Sequence, residues 1–298
     1  TAGGTINFSD ASTDVTNLAI SNSGQVVSFL DANAVDINTV AGVAGVTAAT
    51  FNLTTAGAVS DTTASTISGV TTIVAGSSNN VILDVAGNNF GTVAVTSGSI
   101  VTLVDSNALT LGATTANAAL SVTAVGVLTL SGTITSTTST IALTSTADDG
   151  GAVTFVQGGQ TITSTAAGLT IRADDMTLNG TITATGRTVT LISNSAGDTI
   201  DIGSTGTSTA NRLELSNTEL QTIAATTLVI GSAAAGNIAF VTADVTPGSS
   251  TGSALTTVSL ITGGTITGTS FGIIETNLAR TAGGTINFSD ASTDVTNL

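Results

Sequence analysis

The chain has 298 residues, 34 of them glycine and one proline, and a formal net charge of −15 with only 8% charged side chains. Because lysine, histidine and cysteine are all absent, the composition excludes disulfides, thiolate metal sites and the usual nucleophilic triads. Phosphate backbones and anionic lipids would repel so acidic a chain, so nucleic acid is not an expected partner. No run of about 18 apolar residues occurs, so membrane insertion is not expected.

Two short internal repeats indicate a repeated structural unit. GQVVSFLDANAVDI at 24–37 matches GSIVTLVDSNALTL at 98–111 with an offset of 74. TLSGTITST at 129–137 matches TLNGTITAT at 177–185 with an offset of 48. These offsets are three and two steps of about 24 to 25 residues, which lies in the size range of solenoid repeats. The repeats therefore predict coils of about 24 residues.

Short alternating segments such as NVILDVAG, SIVTLVDSN and LSVTAVG predict β-strands between turns of small residues. Threonine, the commonest residue, suits a pleated surface together with valine and isoleucine. Such strands could form a sandwich, a barrel or a parallel β-solenoid, and the coil-scale repeat favours the all-β solenoid. Alternation places Thr102 and Thr110 outside and six apolar side chains in the core: Ile100, Leu103, Leu109, Leu111, Val122 and Leu128.

One segment departs from the strand pattern. LSNTELQTIAAT at 215–226 has Ser216 and Glu219 at the spacing of a capping box, which predicts the start of a helix. Its flanks are typical of strands, so few other helical residues are expected.

Three acidic clusters are the candidate ion sites: Asp148–Asp149, Asp174–Asp175, and Asp198 with Asp201. Calcium takes oxygen ligands of this kind, so it is the one cofactor that the sequence leaves open. The Gly-Gly-x-Gly-x-Asp pattern of calcium-binding β-rolls is absent, and solvated turn acids that keep the chain soluble are favoured. Arg172 is expected to pair with a neighbouring aspartate. No catalytic, cofactor-binding or metal-binding residue is predicted, and no enzymatic activity.

Two polar patterns recur along the chain. Asp-x-Asn at 31–33 and 105–107 favours side chains that cap turns. Regular threonine arrays on a flat face can bind ice, but the Thr-x-Thr pairs here are unevenly spaced, which favours ordinary outward threonines. These pairs lie at 133–135, 161–163, 181–183, 188–190 and 265–267.

The longest repeat is identical in every letter. TAGGTINFSDASTDVTNL occurs at 1–18 and again at 281–298. We interpret residues 1–280 as one period of a continuous solenoid and 281–298 as the start of the next identical period. The two copies are then expected to occupy equivalent positions in successive periods. The alternative is that the identity reflects only how the sequence was delimited.

Three stretches, 77–114, 176–203 and 211–240, resemble the repetitive shafts of filamentous-haemagglutinin-like adhesins. The resemblance lies in the style of repeat and covers most of the chain. It implies a right-handed parallel β-helix, export from a Gram-negative bacterium and a place in a very large cell-surface protein. The family's secretion-recognition domain is not visible in these residues.

The resulting hypothesis is a structural segment of a giant extracellular or cell-surface fibre that acts in adhesion, cell-cell contact or matrix formation. Its expected partners are further copies of itself, joined end to end or bundled side by side, and cell surfaces or glycans. A surface-layer or sheath protein is the alternative, because it shares the acidic, threonine-rich, cysteine-free composition. A carbohydrate-active β-helix is the third class, since paired carboxylates among the 19 acidic residues could face one cleft.

Overall fold

Short strands that pair in parallel make up nearly all of the regular structure. The computed structural model describes residues 3–148, 150–205, 208–241, 244–252, 255–268, 272–289 and 294–297, and within these ranges one five-residue helix interrupts the strands. The chain divides into two units, Thr1–Ser139 and Thr140–Leu298. The predicted all-β architecture is confirmed, and the repeated parallel pairing is consistent with a β-solenoid.

The first unit contains two parallel sheets, with strand orders β1-β3-β7-β9-β11-β13-β16 and β2-β4-β8-β10-β12-β15. In addition, β14 pairs with β17, and β5 and β6 form an antiparallel hairpin. The strands of this unit are β1 (Ile6–Phe8), β2 (Asn17–Leu18), β3 (Ile20–Asp31), β4 (Val35–Ile37), β5 (Thr39–Val40), β6 (Val43–Ala44), β7 (Val46–Thr55), β8 (Val59–Asp61), β9 (Thr66–Val74), β10 (Val81–Leu83), β11 (Asn89–Ser97), β12 (Val101–Asp105), β13 (Leu109–Leu111), β14 (Thr114–Ala116), β15 (Leu120–Ala124), β16 (Leu128–Leu130) and β17 (Ile134–Ser136).

The second unit contains parallel strands in the orders β18-β21-β23-β26-β28-β30-β32 and β25-β24-β27-β29-β31, while β19 pairs with β22 and β20 with β23. Its elements are β18 (Ile141–Ser145), β19 (Phe155–Gln157), β20 (Ile162–Ser164), β21 (Leu169–Arg172), β22 (Met176–Leu178), β23 (Ile182–Ile192), β24 (Thr199–Ile202), β25 (Arg212–Leu215), α1 (Asn217–Gln221), β26 (Ile223–Ser232), β27 (Ile238–Phe240), β28 (Thr257–Thr262), β29 (Ile266–Gly268), β30 (Ile274–Ala282), β31 (Ile286–Phe288) and β32 (Asp294–Asn297).

Strand register in the first unit shows directly how the chain advances from coil to coil. Val35 pairs with Val59, Val59 with Val81, Val81 with Val101, and Val101 with Leu120. Each of these steps is shorter than the one before it, so the coils become smaller along this series. All five side chains are almost fully buried, so equivalent apolar residues form one continuous column through the core.

Coil length varies more in the second unit. Leu169 pairs with Val189, Val189 with Leu228, Leu228 with Val258, and Val258 with Leu278. The step from Val189 to Leu228 is the longest of the four, and it contains β24, β25 and α1. The prediction of coils of about 24 residues therefore fails in this unit, because loops and extra elements change the length of a coil while buried residues of successive strands stay paired.

The longer of the two short sequence repeats does not correspond to whole coils. Val27 belongs to β3 in the first sheet, whereas Val101, its equivalent in the second copy, belongs to β12 in the second sheet. The two copies of the repeat therefore share a local motif, a strand that ends in Asp-x-Asn before a turn, at two different corners of the coil.

Core positions in β12, β13, β15 and β16 follow the alternation of each strand. Leu103, Leu109, Leu111, Val122 and Leu128 are buried as predicted, and Thr102 and Thr110 on the opposite side are partly exposed. The prediction for Ile100 is wrong, because this side chain is 39% exposed. Ile100 precedes β12, whose inward positions begin at Val101 and continue at every second residue, so residue 100 has the outward parity.

The predicted capping box is confirmed. Ser216 is the N-cap of α1, its hydroxyl accepts a bond from the amide of Glu219, and the Glu219 carboxylate accepts one from the amide of Ser216. The helix ends at Gln221, so the strand-like residues after it form β26 as expected. Within the described ranges no helix reaches the length needed to cross a membrane.

The two copies of the long repeat share one strand. INF forms β1 at Ile6–Phe8 and β31 at Ile286–Phe288. The second strand of each copy is assigned with different bounds, as β2 at Asn17–Leu18 and β32 at Asp294–Asn297. Residues 1–2, 290–293 and 298 lie outside the described residues, so equivalence over the whole repeat, and the period of 1–280 itself, stay predictions.

The parity of Ile100 and Leu103 leads to a stability prediction. Leu103→Ala should lower the free energy of unfolding by about 2–5 kcal/mol, because it opens a cavity in a packed column. Ile100→Ala should change it by only about 0.5–1 kcal/mol, because the side chain points outward and is partly solvated. Urea unfolding of both variants measures the difference, and equal losses would contradict the inward assignment.

Candidate functional site

Asp31 is a buried carboxylate at a corner of the first unit. It follows Val27 and Phe29 at the inward positions of β3 and is 1% exposed. Its Oδ1 accepts a hydrogen bond from the amide of Asn33 at 2.9 Å, and its Oδ2 accepts one from the amide of Val15 at 2.9 Å. One carboxylate therefore closes its own turn and fixes the preceding coil against it.

Asp105 repeats this arrangement at the end of β12. It is fully buried, and its Oδ1 accepts from the amide of Asn107 at 3.0 Å. Its Oδ2 accepts from the amide of Phe90, in the preceding coil, at 2.6 Å. The predicted turn-capping role of Asp-x-Asn is confirmed at both positions. The bond to the preceding coil was not predicted from the sequence.

A glycine of the following coil packs against each of these corners. A Cβ atom on Gly57 would lie 2.4 Å from the backbone nitrogen of Ala34, and one on Gly126 would lie 2.6 Å from that of Ala108. The amide of Gly126 donates to the carbonyl of Asn107 at 2.7 Å. The absent side chain lets the two backbones approach closely enough to hydrogen-bond.

Asp61 is a third inward carboxylate, which sequence analysis missed. Its Oδ1 accepts from the amide of Asp84 at 3.0 Å, and its Oδ2 accepts from the side-chain amide of Asn88 at 2.6 Å. Asn88 in turn accepts a bond from the amide of Ser65 at 2.9 Å. The signal was available, because Asp61 has the same parity as the buried Val59 in β8.

The second unit buries a pair of carboxylates between β22 and β25. Asp175 is 3% exposed and Glu214 is 6% exposed. Asp175 accepts from the amide of Met176 at 2.9 Å and from the hydroxyl of Ser208 at 2.6 Å. Glu214 accepts from the hydroxyl of Ser204 at 2.9 Å. The segment that follows β24 thus supplies hydroxyl donors to both acids.

The neighbouring acids are also held by protein donors. Asp174 is fully buried and accepts from the backbone amide and the hydroxyl of Ser195. Asp201 pairs with Arg212 in the ion pair that the described residues contain, and in register it lies beside Glu214. The sequence interpretation of Asp174, Asp175, Asp198 and Asp201 as solvated turn acids is therefore wrong, because all four are buried.

The remaining sequence candidates have ordinary surroundings. Asp148 is exposed and accepts from the amide of Gly150 at 3.3 Å, while Asp149 lies outside the described residues. Arg172 makes no ion pair with a described residue, so the expected pairing of this arginine is wrong. Its expected partners in the cluster are engaged by Ser195, Ser208 and backbone amides instead.

Glu219 serves the helix and the sheet at once. While its Oε2 accepts from the amide of Ser216 at 2.8 Å, its Oε1 accepts from the amide of Leu178 at 3.0 Å. Leu178 is the last residue of β22. The capping box of α1 therefore also satisfies a backbone donor at the end of β22.

The Thr-x-Thr pairs lie on the outer surface of their strands, as predicted, and each flanks a buried residue: Ile134, Ile162, Ile182, Val189 and Ile266. Thr163 pairs with Thr183, so two of the pairs stack on adjacent coils. An open groove of about 450 Å³ lies beside them, lined by Thr181, Thr183, Thr185, Thr222, Ala224, Ser250 and Thr251. Its lining offers hydroxyl and methyl groups without charge.

Burial changes the ionisation of three of these acids. Desolvation raises the pKa of Asp61, Asp105 and Asp175 above the ordinary aspartate value and outweighs the hydrogen bonds that lower it. The nearby charge of Glu214 adds to the upward shift of the Asp175 pKa. Exposed Asp10 behaves oppositely, because bonds from the amide and hydroxyl of Ser12 lower its pKa.

The described residues contain no group of three or more acids, histidines or cysteines arranged to hold a metal ion. Comparison with protein-family models, curated proteins and solved structures finds no match for this chain. The arrangement of Asp31, Asp61 and Asp105 therefore has to be interpreted from its own contacts, and these contacts hold adjacent coils together.

The close approach at Gly126 leads to a matched prediction. Gly126→Ala should lower the free energy of unfolding by roughly 1–3 kcal/mol, because the added Cβ must displace the backbone of Ala108. Gly4→Ala should be nearly neutral, since a Cβ there meets nothing within 4 Å. Thermal and urea unfolding of the two variants provide the test, and a neutral Gly126→Ala would contradict this role of glycine.

The raised pKa values predict stability at acidic pH. A group whose pKa is higher in the folded state contributes stability below its unfolded value, about 3.9 for aspartate, and loses it as the pH rises through the folded value. We expect the urea midpoint to fall as the pH rises above about 3.9 and through the raised pKa values of these acids. Asp175→Asn should reduce this fall, whereas Asp10→Asn should not. An unchanged profile for Asp175→Asn would refute the assignment.

Proposed function

We propose that this chain is a structural segment of a giant repetitive fibre, outside the cell or on its surface. The observation that supports the proposal best is the in-register column of apolar side chains from Val35 to Leu120, in which each coil places a buried residue opposite that of the previous coil. Such coils can be added without limit, because each contacts only its neighbours. A fibre needs this property, and an isolated binding domain does not.

The chemistry of the chain supports a mechanical role over a catalytic one. The sequence has no lysine, histidine or cysteine to act as base or nucleophile. The buried carboxylates of Asp31, Asp105 and Asp175 are occupied by backbone and hydroxyl donors. We propose that these acids stabilise corners between coils and that the segment is not an enzyme. A carbohydrate-active β-helix is correspondingly the least favoured class.

The resemblance to filamentous-haemagglutinin-like shafts supports the finer assignments. We propose a right-handed β-helix in an adhesin-like protein of a Gram-negative bacterium, acting in adhesion, cell-cell contact or matrix formation. The uncharged groove between Thr181 and Thr251 suits glycan hydroxyls as a contact surface. Lateral bundling would require screening of the net charge of −15, which divalent cations such as calcium would provide.

A surface-layer or sheath protein is the second candidate, and the threonine-rich, acidic, cysteine-free composition favours it equally. The two functions differ in how copies are arranged. A fibre requires many periods in one axial series, whereas a layer requires lateral contacts that form a lattice. The arrangement of purified chains therefore discriminates between them.

The fibre proposal predicts that length adds along one axis. Chains containing one, two and three copies of the period 1–280 should lengthen by roughly 55 Å per period in negative-stain micrographs, from about 4.8 Å per coil. Their width should stay constant. Two-dimensional lattices from the same chains would favour the surface-layer function, and lengths that do not increase with the number of periods would exclude the fibre.

A further inference from the structure

The repeated strand INF uses opposite edges in its two copies. As β1, it pairs with the strand that follows it, with Ile6 opposite Val27 and Phe8 opposite Phe29. As β31, it pairs with the strand that precedes it, with Ile286 opposite Ile266. Within the described residues β1 and β31 each have this one neighbour. The same sequence therefore pairs with a coil on either side.

The second strand of the repeat behaves in the same way. In the first copy, Asn17 pairs with Asp36 of the following coil. In the second copy, the equivalent Asn297 pairs with Asn277 of the preceding coil. Each strand of the repeat therefore pairs with the following coil in the first copy and with the preceding coil in the second copy. The two pairings use opposite edges of the strand.

The phenylalanine of the first strand is only half covered. Phe8 stacks on Phe29 with ring centroids 5.5 Å apart, yet 52% of Phe8 remains exposed. The equivalent Phe288 contacts Phe240 at 5.4 Å, and the Arg280 guanidinium lies 4.9 Å from its ring centroid. The upstream and downstream contacts of this phenylalanine therefore use different neighbours.

We infer that TAGGTINFSDASTDVTNL is a joint coil, which pairs simultaneously with the last coil of one period and the first full coil of the next. The partner of this surface is therefore a further copy of the same period. The inference rests on the proposed function and specifies its contacts. At the joint, the phenylalanine would lie between Phe240 and Arg280 of one period and Phe29 of the next.

This geometry forms a directional, head-to-tail contact. Because one partner presents the edge of β29 and the other the edge of β3, the contact joins two different surfaces and differs from a symmetric dimer contact. It also buries the exposed ring face of Phe8 and pairs the open backbone edge, which would otherwise be a site for unspecific strand addition.

The test uses a two-period chain made of residues 1–298 followed directly by residues 19–298, which contains one internal copy of the repeat. Hydrogen exchange should be at least about tenfold slower in this internal copy than in residues 1–18 or 281–298 of the single chain, because paired edges protect amides. Equal exchange in the internal and terminal copies would overturn the inference.

A pair of substitutions tests the stacked ring. In the two-period chain, Phe288→Ala should lower the melting temperature several times more than it does in the single chain, because the ring is buried on both sides. The neighbouring Asn287→Ala is the control, and it should have the same small effect in both chains. An effect of Phe288→Ala that is independent of the second period would contradict the joint.

These results are distinguishable from a failure of the proposed function. Slow exchange at the internal copy without axial lengthening in micrographs would leave the joint intact and reject the fibre. Axial lengthening with an unprotected internal copy would support a fibre whose periods are connected in another way, and it would reject the joint.

Discussion

Parallel, in-register pairing between successive coils is the constraint on which the other features depend. It places equivalent residues above one another at the strand spacing, about 4.8 Å, and satisfies the backbone donors and acceptors of every interior strand. It also fixes which side chains face inward, since parity is the same in paired strands. The column of Val59, Val81 and Val101 is the result in the first unit, and Val189, Leu228 and Val258 form its counterpart in the second.

At the corners of the coils, this constraint leaves backbone amides in need of hydrogen-bond acceptors. A turn at the end of an inward-facing strand leaves backbone amides beneath the next coil, away from water, and unpaired amides there would be costly. Asp31 and Asp105 accept hydrogen bonds from such amides with both carboxylate oxygens. One oxygen bonds to the turn and the other to the neighbouring coil. Desolvation raises the pKa of Asp105, which shows that the position is unfavourable for the charge itself. The hydrogen bonds of the Asp105 carboxylate connect two coils, and this contribution opposes the cost of its desolvation.

Sequence patterns were sufficient for the all-β class, most of the core and the capping box at Ser216, because these depend on short-range parity and spacing. Ile100 was misplaced because parity was carried across a strand boundary, although residues 100 and 103 cannot share one side of a continuous strand. The burial of Asp175 was missed because it depends on the extra strand β25 and on Ser208, far along the chain. The burial of Asp174 was missed because its partner is Ser195, which also lies later in the chain. Asp61 was predictable from its parity with Val59, but a polar residue at an inward position was not considered.

The variable coil lengths follow from the same constraint. One residue inserted within a strand would turn every later side chain of that strand to the other face, so inward residues stay opposite one another even where the register shifts. On the two sides of the shift in β23, Ile182 pairs with Ile223 and Val189 with Leu228, and all four are buried. A loop has no such restriction, and the step from Val189 to Leu228 accommodates two further strands and a helix. Additional polar side chains that bond to other parts of the chain therefore lie outside the strands. Ser204, Ser208 and Glu219 are all within this step. Parallel strands stacked in this way can acquire surface features coil by coil while their core remains unchanged. For the same reason, an offset between similar sequences does not measure the length of a coil.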